Sequence, residues 1–354
     1  MFNSKTLFII GAGASCEANL PSGEGLKSKI ASLLNIKFDN TKGQYSGDIQ
    51  ITQALRDYAK LPDGRSGDIN PYLYKAWRIA DVLPAAAISI DNFLNAHQGD
   101  VEMELCGKLG IVKSILDAER ESALGSHNTI SGKFNLHALI GTWYVGFFQM
   151  LTENVSRARA SSVFENVSII TFNYDRCIER FLIQALADYY DLTMPEAEQI
   201  MINLPIYHPY GKVGPLPWQD PHNAVPFGSS TTNLLTAAQR VKTFTEGMGD
   251  DDTLALMHDA VTKAETIVFI GFAFHPANMQ LLTPPESTQT KRIFGTTLGL
   301  SDADEAVIEE DILKILHKDL LTWDEQIAIK PRFAQMTGGA FFKQYFRSLS
   351  ASPK

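Results

Sequence analysis

Two glycines and a serine in the segment Gly11–Ser15 follow an apolar run near the start of the chain. Glycines let a backbone approach a diphosphate, and helix N-terminal amides stabilise its charge. We therefore predict that Gly11, Ala12, Gly13 and Ser15 bind a dinucleotide, although a plain strand-to-helix turn also explains the pattern. The dehydrogenase fingerprint has a third glycine where this chain has Cys16, and no Gly-Lys-Ser/Thr is present, which excludes a P-loop.

A second polar segment, Thr171-Phe172-Asn173-Tyr174-Asp175, closes another apolar run. Asn173 can hold a water or a ribose hydroxyl, and Asp175 can accept from a carboxamide NH2, with Thr171 lining the same site. Asn and Asp are also common in Asx turns and at helix N-caps, so a purely structural role for this segment stays open.

Two further segments complete the set. His208 follows a short apolar piece, a position that suits a general base, although a lone histidine is more often structural. Backbone amides of Gly271 and Phe272, together with Asn278, can hold a ribose, with helix N-capping as the alternative.

Short apolar runs that precede these segments alternate with stretches of helical spacing. The runs predicted as strands are 5–10, 167–172, 204–207, 266–270 and 292–297. Buried strands that alternate with helices indicate an α/β fold, a Rossmann-like parallel sheet with helices on both faces, plus a helical insertion domain. Ligands of such sheets bind at the carboxyl ends of the strands, where all four polar segments lie.

The same spacing predicts the domain organisation. Residues 1–35 and 165–300 form the Rossmann-like core, and 36–164 form a mostly helical insertion that begins with loop over 36–67 because that stretch is rich in Gly, Asp, Asn and Ser. Residues 301–354 are predicted to be C-terminal helices that pack on the core.

Composition excludes several classes of protein. The 354 residues carry a net charge of −9, which argues against a general nucleic-acid binder. The three cysteines, Cys16, Cys106 and Cys177, are far apart, so neither a zinc site nor a disulfide framework is expected. No signal peptide is recognisable, and no apolar stretch reaches the ~18 residues of a membrane span, so we expect a cytoplasmic protein without membrane contact.

In order and spacing, the four polar segments resemble the sirtuin superfamily. They resemble in particular the bacterial sirtuin-like NADases of anti-phage defence, in which Ala-x-Leu-Pro-Ser-Gly (here 18–23) and Thr-Phe-Asn-Tyr-Asp (here 171–175) are typical. The resemblance covers about residues 1–30 and 165–300. The chain departs from it in lacking the four-cysteine zinc module of deacetylating sirtuins. It also has Tyr210, not a histidine, directly before Gly211, with His208 two residues earlier.

The resemblance implies a function. The protein is expected to bind NAD+ as a substrate, without zinc, and to cleave it to nicotinamide and ADP-ribose, with Asn173, His208 and Asp175 as the catalytic residues. Such enzymes deplete NAD+ during phage infection (abortive infection). They act as homo-oligomers or with a partner defence protein such as a hexameric ATPase, so similar partners are expected here.

Four alternatives use the same pocket differently. A sirtuin-type deacylase or an ADP-ribosyltransferase would transfer the ADP-ribosyl group to an acceptor other than water. A non-catalytic sensor would bind NAD+ or ADP-ribose without turnover. A dehydrogenase is the least favoured, because Cys16 replaces the third glycine.

Overall fold

The computed structural model describes residues 2–41, 43–130, 133–319 and 321–351. The strands are β1 (Thr6–Ile10), β2 (Lys37–Asp39), β3 (Gly43–Ser46), β4 (Thr129–Ile130), β5 (Lys133–Phe134), β6 (Val167–Thr171), β7 (Ile206–Tyr207), β8 (Thr266–Ile270), β9 (Arg292–Thr296) and β10 (Arg332–Ala334). The helices are α1 (Ala12–Ser15), α2 (Gly23–Leu34), α3 (Ile49–Tyr58), α4 (Asn70–Ala86), α5 (Ile90–Ala96), α6 (Val101–Glu121), α7 (Trp143–Thr152), α8 (Cys177–Tyr190), α9 (Met194–Met201), α10 (Leu234–Ala238), α11 (Phe244–Met248), α12 (Asp251–Lys263), α13 (Pro276–Leu281), α14 (Asp302–Ile315), α15 (Trp323–Ile329) and α16 (Gly338–Ser350).

Six of the strands form one parallel sheet in the order β10-β9-β8-β1-β6-β7. Numbered along the chain within the sheet, this order reads 3-2-1-4-5-6 from β7 to β10, which is the Rossmann order. The predicted α/β fold class is therefore confirmed, and the five predicted strands all form within two residues of their expected bounds. The topological switch point lies between β1 and β8.

The chain divides into two compact units. The first, called here the sheet unit, comprises Met1–Leu20, Ser126–Pro209 and Met248–Lys354; the second, called the helical unit, comprises Pro21–Gly125 and Tyr210–Gly247. Every residue that the sequence singled out for the site belongs to the sheet unit.

Aromatic packing covers one face of the sheet. The ring of Phe8 in β1 lies 4.9 Å from that of Phe147 in α7 and 6.1 Å from that of Phe342 in α16. All five residues of β1 and of β8 are buried, so the sheet is covered on both faces, as a central parallel sheet requires.

The helical unit is built around α6, which packs against α2, α4 and α10. Gly107 allows α5 to pack closely on α6, because a Cβ there would lie 2.5 Å from Leu94, and Gly110 does the same for α2, because a Cβ there would lie 2.9 Å from Ile30. Across the described ranges, no helix combines the length and apolar character needed to cross a membrane.

The observed units correct the predicted domain boundaries. Helix α2, placed in the core by the sequence, belongs to the helical unit because Ile30 and Leu34 bury against α6. The stretch 126–164, placed in the insertion, belongs to the sheet unit because Phe147 of α7 buries against β1. The segment 210–247, placed in the core, belongs to the helical unit.

Two local predictions are also wrong. The expected loop over 36–67 contains the β2–β3 hairpin and α3, whose first turn is capped by Asp48 accepting from the Ile51 amide at 2.9 Å. The C-terminal region is not purely helical, since β10 adds the edge strand of the sheet. Only three residues long, β10 lacks the apolar run by which the other strands were recognised.

Candidate active site

The four polar segments predicted from the sequence follow four neighbouring strands. Gly271 follows β8, Gly11 follows β1, Asn173 lies just beyond β6, and His208 follows β7. Since these strands are parallel, their carboxyl ends share one edge of the sheet, next to the switch point. The structure thus brings together segments that are distant along the chain.

Ser15 lies at the centre of a buried hydrogen-bond network. Its hydroxyl donates to Oδ2 of Asp175 at 2.8 Å and accepts from Nδ2 of Asn173 at 2.9 Å. Ser15 is 3% exposed, and Asn173 and Asp175 are each 7% exposed. The Ser15 hydroxyl thus connects the carboxyl group of Asp175 to the side-chain amide of Asn173.

The orientation of the Asn173 amide follows from the same network. Its Nδ2 donates to the carbonyl of Gly11 at 3.1 Å as well as to Ser15, which uses both amide hydrogens. No hydrogen bond from the described residues reaches Oδ1 of Asn173. That oxygen is therefore held as an acceptor, the property needed to orient a water or a ribose hydroxyl.

Asp175 also forms the structural turn that the sequence left open as an alternative. Its Oδ1 accepts from the Cys177 amide at 3.0 Å, an Asx turn at the start of α8. Burial raises the pKa of the Asp175 carboxyl, and the charge of Glu179 adds to this effect, while the bonds from Cys177 and Ser15 oppose it. A carboxamide would thus have to share a carboxyl group that is already hydrogen-bonded.

Both ring nitrogens of His208 face acceptors. Nδ1 lies 3.3 Å from the carbonyl oxygen of Asn173, and Nε2 lies 3.2 Å from Oε1 of Glu179. The side chain of His208 is 7% exposed and that of Glu179 only 1%. Glu179 was not among the predicted site residues; the signal that could have identified it is an acidic residue beside the apolar residues Ile178 and Phe181 of α8.

The glycines of the first segment have a structural explanation. A Cβ at Gly11 would lie 2.5 Å from the carbonyl oxygen of Gly271, and one at Gly13 would lie 2.9 Å from the Cα of Gly271. The Gly13 amide donates to that carbonyl at 3.0 Å. The turns after β1 and β8 thus pack backbone against backbone at the switch point, so the glycine pattern does not require a diphosphate.

The turn after β8 is shaped by a glycine in the left-handed conformation and by aromatic packing. Gly271 has a φ of +57°, and its amide donates to Oγ1 of Thr296 at 2.9 Å. Phe272 lies between other rings, 5.2 Å from Phe172 and 5.1 Å from Phe274, so its side chain supports the turn. Thr296, at the end of β9, is a supporting residue that the sequence did not single out.

The remaining predicted residues are placed as follows. Ala12 is exposed at the start of α1, and Thr171 is buried with its Oγ1 accepting from the Asn173 amide at 3.3 Å. Asn278 lies in α13 and is half-buried. Cys16, at the position of the missing glycine, donates its thiol to the Ala12 carbonyl at 3.5 Å. The ligand-binding roles of these residues stay predictions.

Tyr144 is a buried neighbour of the network that the sequence analysis did not identify. Tyr144 is 1% exposed, and its hydroxyl lies beside Ser15 and Cys177. Burial, with the charges of Cys177 and Asp175, raises the pKa of the Tyr144 hydroxyl well above its ordinary value. Tyr144 therefore stays neutral next to Asp175.

Glu17 holds the first turn against two helices. Its Oε2 accepts from the Trp143 amide at 2.7 Å, where α7 begins, and from the Gly339 amide at 3.1 Å, in the first turn of α16. Amides at helix starts have no partner within the helix and favour a negative charge, so one carboxylate serves two helix N-termini. Glu17 thereby fixes the segment that carries Ser15.

We expect Glu17→Ala to lower the free energy of unfolding by about 2–4 kcal/mol, because two amides lose their acceptor. Glu17→Gln keeps an acceptor oxygen, so it should cost less. Urea denaturation of both variants measures the difference. Equal losses in the two variants would show that an uncharged acceptor oxygen cannot replace the Glu17 carboxylate.

The pH dependence separates the charge of Glu17 from its hydrogen bonds. Burial raises its pKa despite the bonds from Trp143 and Gly339. The folded protein thus holds this proton more tightly than the unfolded chain, and stability should fall as pH rises from the unfolded value through the folded one. Glu17→Gln lacks this contribution, so it should gain stability relative to wild type over the same rise. A constant difference would contradict the expectation.

Comparison with known proteins does not assign the chain to a family. No protein-family model matches the chain, and no curated protein matches it.

Proposed function

We propose that the protein is an NAD+ glycohydrolase, which uses water to cleave the nicotinamide–ribose bond and releases nicotinamide, ADP-ribose and a proton. One observation carries the proposal: Asn173, Ser15 and Asp175 form a buried network at the switch point of a Rossmann-ordered sheet, and His208 contacts the same segment. Dinucleotides bind at this place in such sheets.

The chemistry makes three demands on the site. The glycosidic nitrogen of nicotinamide is positively charged and leaves as a neutral group, while the ribose becomes oxocarbenium-like. A water must then be aimed at C1′ and lose a proton. The fixed acceptor Oδ1 of Asn173 supports the aiming of water or a ribose hydroxyl, and we assign the removal of the proton to His208, which contacts the Asn173 carbonyl.

Binding of the diphosphate is expected at the first turn. Ala12 and Gly13 are exposed beside the switch point, but the Gly13 amide already donates to Gly271. We therefore propose that the diphosphate accepts a hydrogen bond from the Ala12 amide, which has no partner within its helix. Asp175 would receive the carboxamide of nicotinamide through the lone pairs that Ser15 and Cys177 leave available.

The resemblance to defence NADases extends the proposal to the cell. The protein would consume the cytoplasmic NAD+ of a bacterium when a phage infects it, as a homo-oligomer or together with a partner such as a hexameric ATPase.

A second candidate is a sensor that binds NAD+ or ADP-ribose without turnover. It is favoured by the structural roles of the predicted residues, since Gly11 and Gly13 are explained by packing and Asp175 by an Asx turn. The two candidates share the binding site and differ in whether NAD+ is consumed.

The test is to incubate purified protein with NAD+ and to quantify nicotinamide and ADP-ribose, with and without an acetylated peptide. Equal NAD+ loss in both arms is expected. Loss only with the peptide would indicate a deacylase, and binding without product would indicate the sensor. A second measurement follows cellular NAD+ during phage infection of bacteria that express the protein. It detects activity that requires an infection signal.

A further inference from the structure

Glu179 and His208 form a carboxylate–imidazole pair at the end of β7. The ring nitrogen Nε2 lies 3.2 Å from Oε1 of Glu179, and both side chains are almost fully buried. A buried carboxylate this close to an imidazole favours a proton on the nitrogen facing it. The second nitrogen, Nδ1, lies 3.3 Å from the backbone carbonyl oxygen of Asn173, which is a neutral and therefore weaker acceptor than a carboxylate.

We propose that Glu179 is the positioning residue of His208: it accepts the Nε2 proton in every state and leaves Nδ1 as the nitrogen that exchanges the reaction's proton. The inference rests on the proposed function for the identity of that reaction. The contact between Glu179 and His208 is present in the protein without ligand, so it can be measured without NAD+.

Geometry assigns the roles of the two nitrogens. Nδ1 lies beside the backbone carbonyl of Asn173, the residue whose side chain is proposed to orient the water, whereas Nε2 faces Glu179 of helix α8. A carboxylate that holds one nitrogen fixes the ring's tautomer and orientation and stabilises the imidazolium that forms when the other nitrogen gains a proton. Glu179 stands in this relation to His208.

Other ionisable groups near the pair come from two helices and the end of β6. Asp175 precedes α8 and interacts electrostatically with Glu179, while Arg176, adjoining the start of α8, is fully buried. Cys177 begins α8, and Tyr144 of α7 lies next to it. Among these groups, Glu179 is the one in direct contact with the His208 ring.

The charge of Glu179 has a specific consequence for catalysis. It stabilises the protonated ring, so Glu179→Gln should let His208 lose its proton at a lower pH and should make it a weaker base. We expect kcat at high pH to fall about 10- to 100-fold, less than the roughly 10²- to 10⁴-fold of a complete acid–base contribution because His208 itself remains, with little change in KM. The rise of rate with pH should begin at lower pH than in wild type. Glu179→Asp, which keeps the charge, should restore the wild-type onset.

The deciding measurement is NMR titration of ¹⁵N-histidine-labelled full-length protein without NAD+, with His208 assigned by its loss in His208→Asn. In wild type the neutral ring should carry its proton on Nε2, and in Glu179→Gln the ring should deprotonate at lower pH. A neutral wild-type ring protonated on Nδ1 overturns the inference. This outcome is measured on the wild-type protein and does not depend on how a Glu179 variant folds. An identical titration in a folded Glu179→Gln also overturns it. A shifted titration in a protein that does not cleave NAD+ supports the pairing and rejects the proposed function alone.

Discussion

Replacing Asn173 or His208 with alanine is expected to lower the rate of NAD+ cleavage by about 10²- to 10⁴-fold, equivalent to about 2.7–5.4 kcal/mol of activation free energy. Asn173→Ala removes the fixed acceptor Oδ1, and His208→Ala removes the group that takes the proton. The measurement is nicotinamide release at saturating NAD+.

Matched controls separate this effect from a loss of structure. Asn166 lies at the opposite end of β6, where its Nδ2 donates to the Phe2 carbonyl at 2.9 Å. His258, in α12, has one ring nitrogen 3.0 Å from the Leu281 carbonyl. Asn166→Ala and His258→Ala each lose a similar hydrogen bond and should keep wild-type activity. Wild-type cleavage by both Asn173→Ala and His208→Ala would reject the assignment of this site.

Replacing Gly271 with alanine is expected to lower the free energy of unfolding by at least about 4 kcal/mol, a loss that few single substitutions reach. A Cβ there would lie 2.0 Å from the Ala14 amide nitrogen and 2.4 Å from the Gly13 carbonyl carbon, and both atoms belong to the backbone. The positive φ of +57° adds strain of its own. Chemical denaturation followed by circular dichroism measures the loss.

Gly299 provides the control for backbone conformation. It has a φ of +87°, and a Cβ there would meet no atom within 4 Å. Gly299→Ala should therefore cost only the roughly 1–2 kcal/mol of a left-handed non-glycine residue. Equal losses at Gly271 and Gly299 would mean that the contact between the two turns contributes nothing to stability.

Several glycines and polar residues at the strand ends have both a structural and a proposed chemical role. Gly13 is needed for close packing with Gly271, and its amide is already used there. Asp175 starts α8 through the Cys177 amide and also accepts from Ser15. The motif residues would thus be required for folding even in a protein that only binds its ligand. The activities of the Asn173 and Asn166 variants are therefore a stronger test of catalysis than the presence of the motifs.

The errors of the sequence analysis have a common cause. Helix α2 follows the first turn in the chain, yet Ile30 buries against α6, and α7 belongs with the sheet because Phe147 meets Phe8. Apolar spacing shows which face of a helix is buried but not what covers it. Boundaries drawn along the chain therefore failed where the chain passes between units.

The fold class, five of the six sheet strands and the position of four polar segments at their ends could be predicted from the amino-acid sequence. Such information is local, because a buried strand needs a short apolar run and a strand-to-helix turn needs glycine or a capping residue. The partners of these residues follow from the folded arrangement: Glu179 lies beside His208, Glu17 between two helix starts, and Gly271 against Gly13. These contacts join residues far apart in the chain, and their geometry depends on strand order and helix packing, which no local pattern specifies.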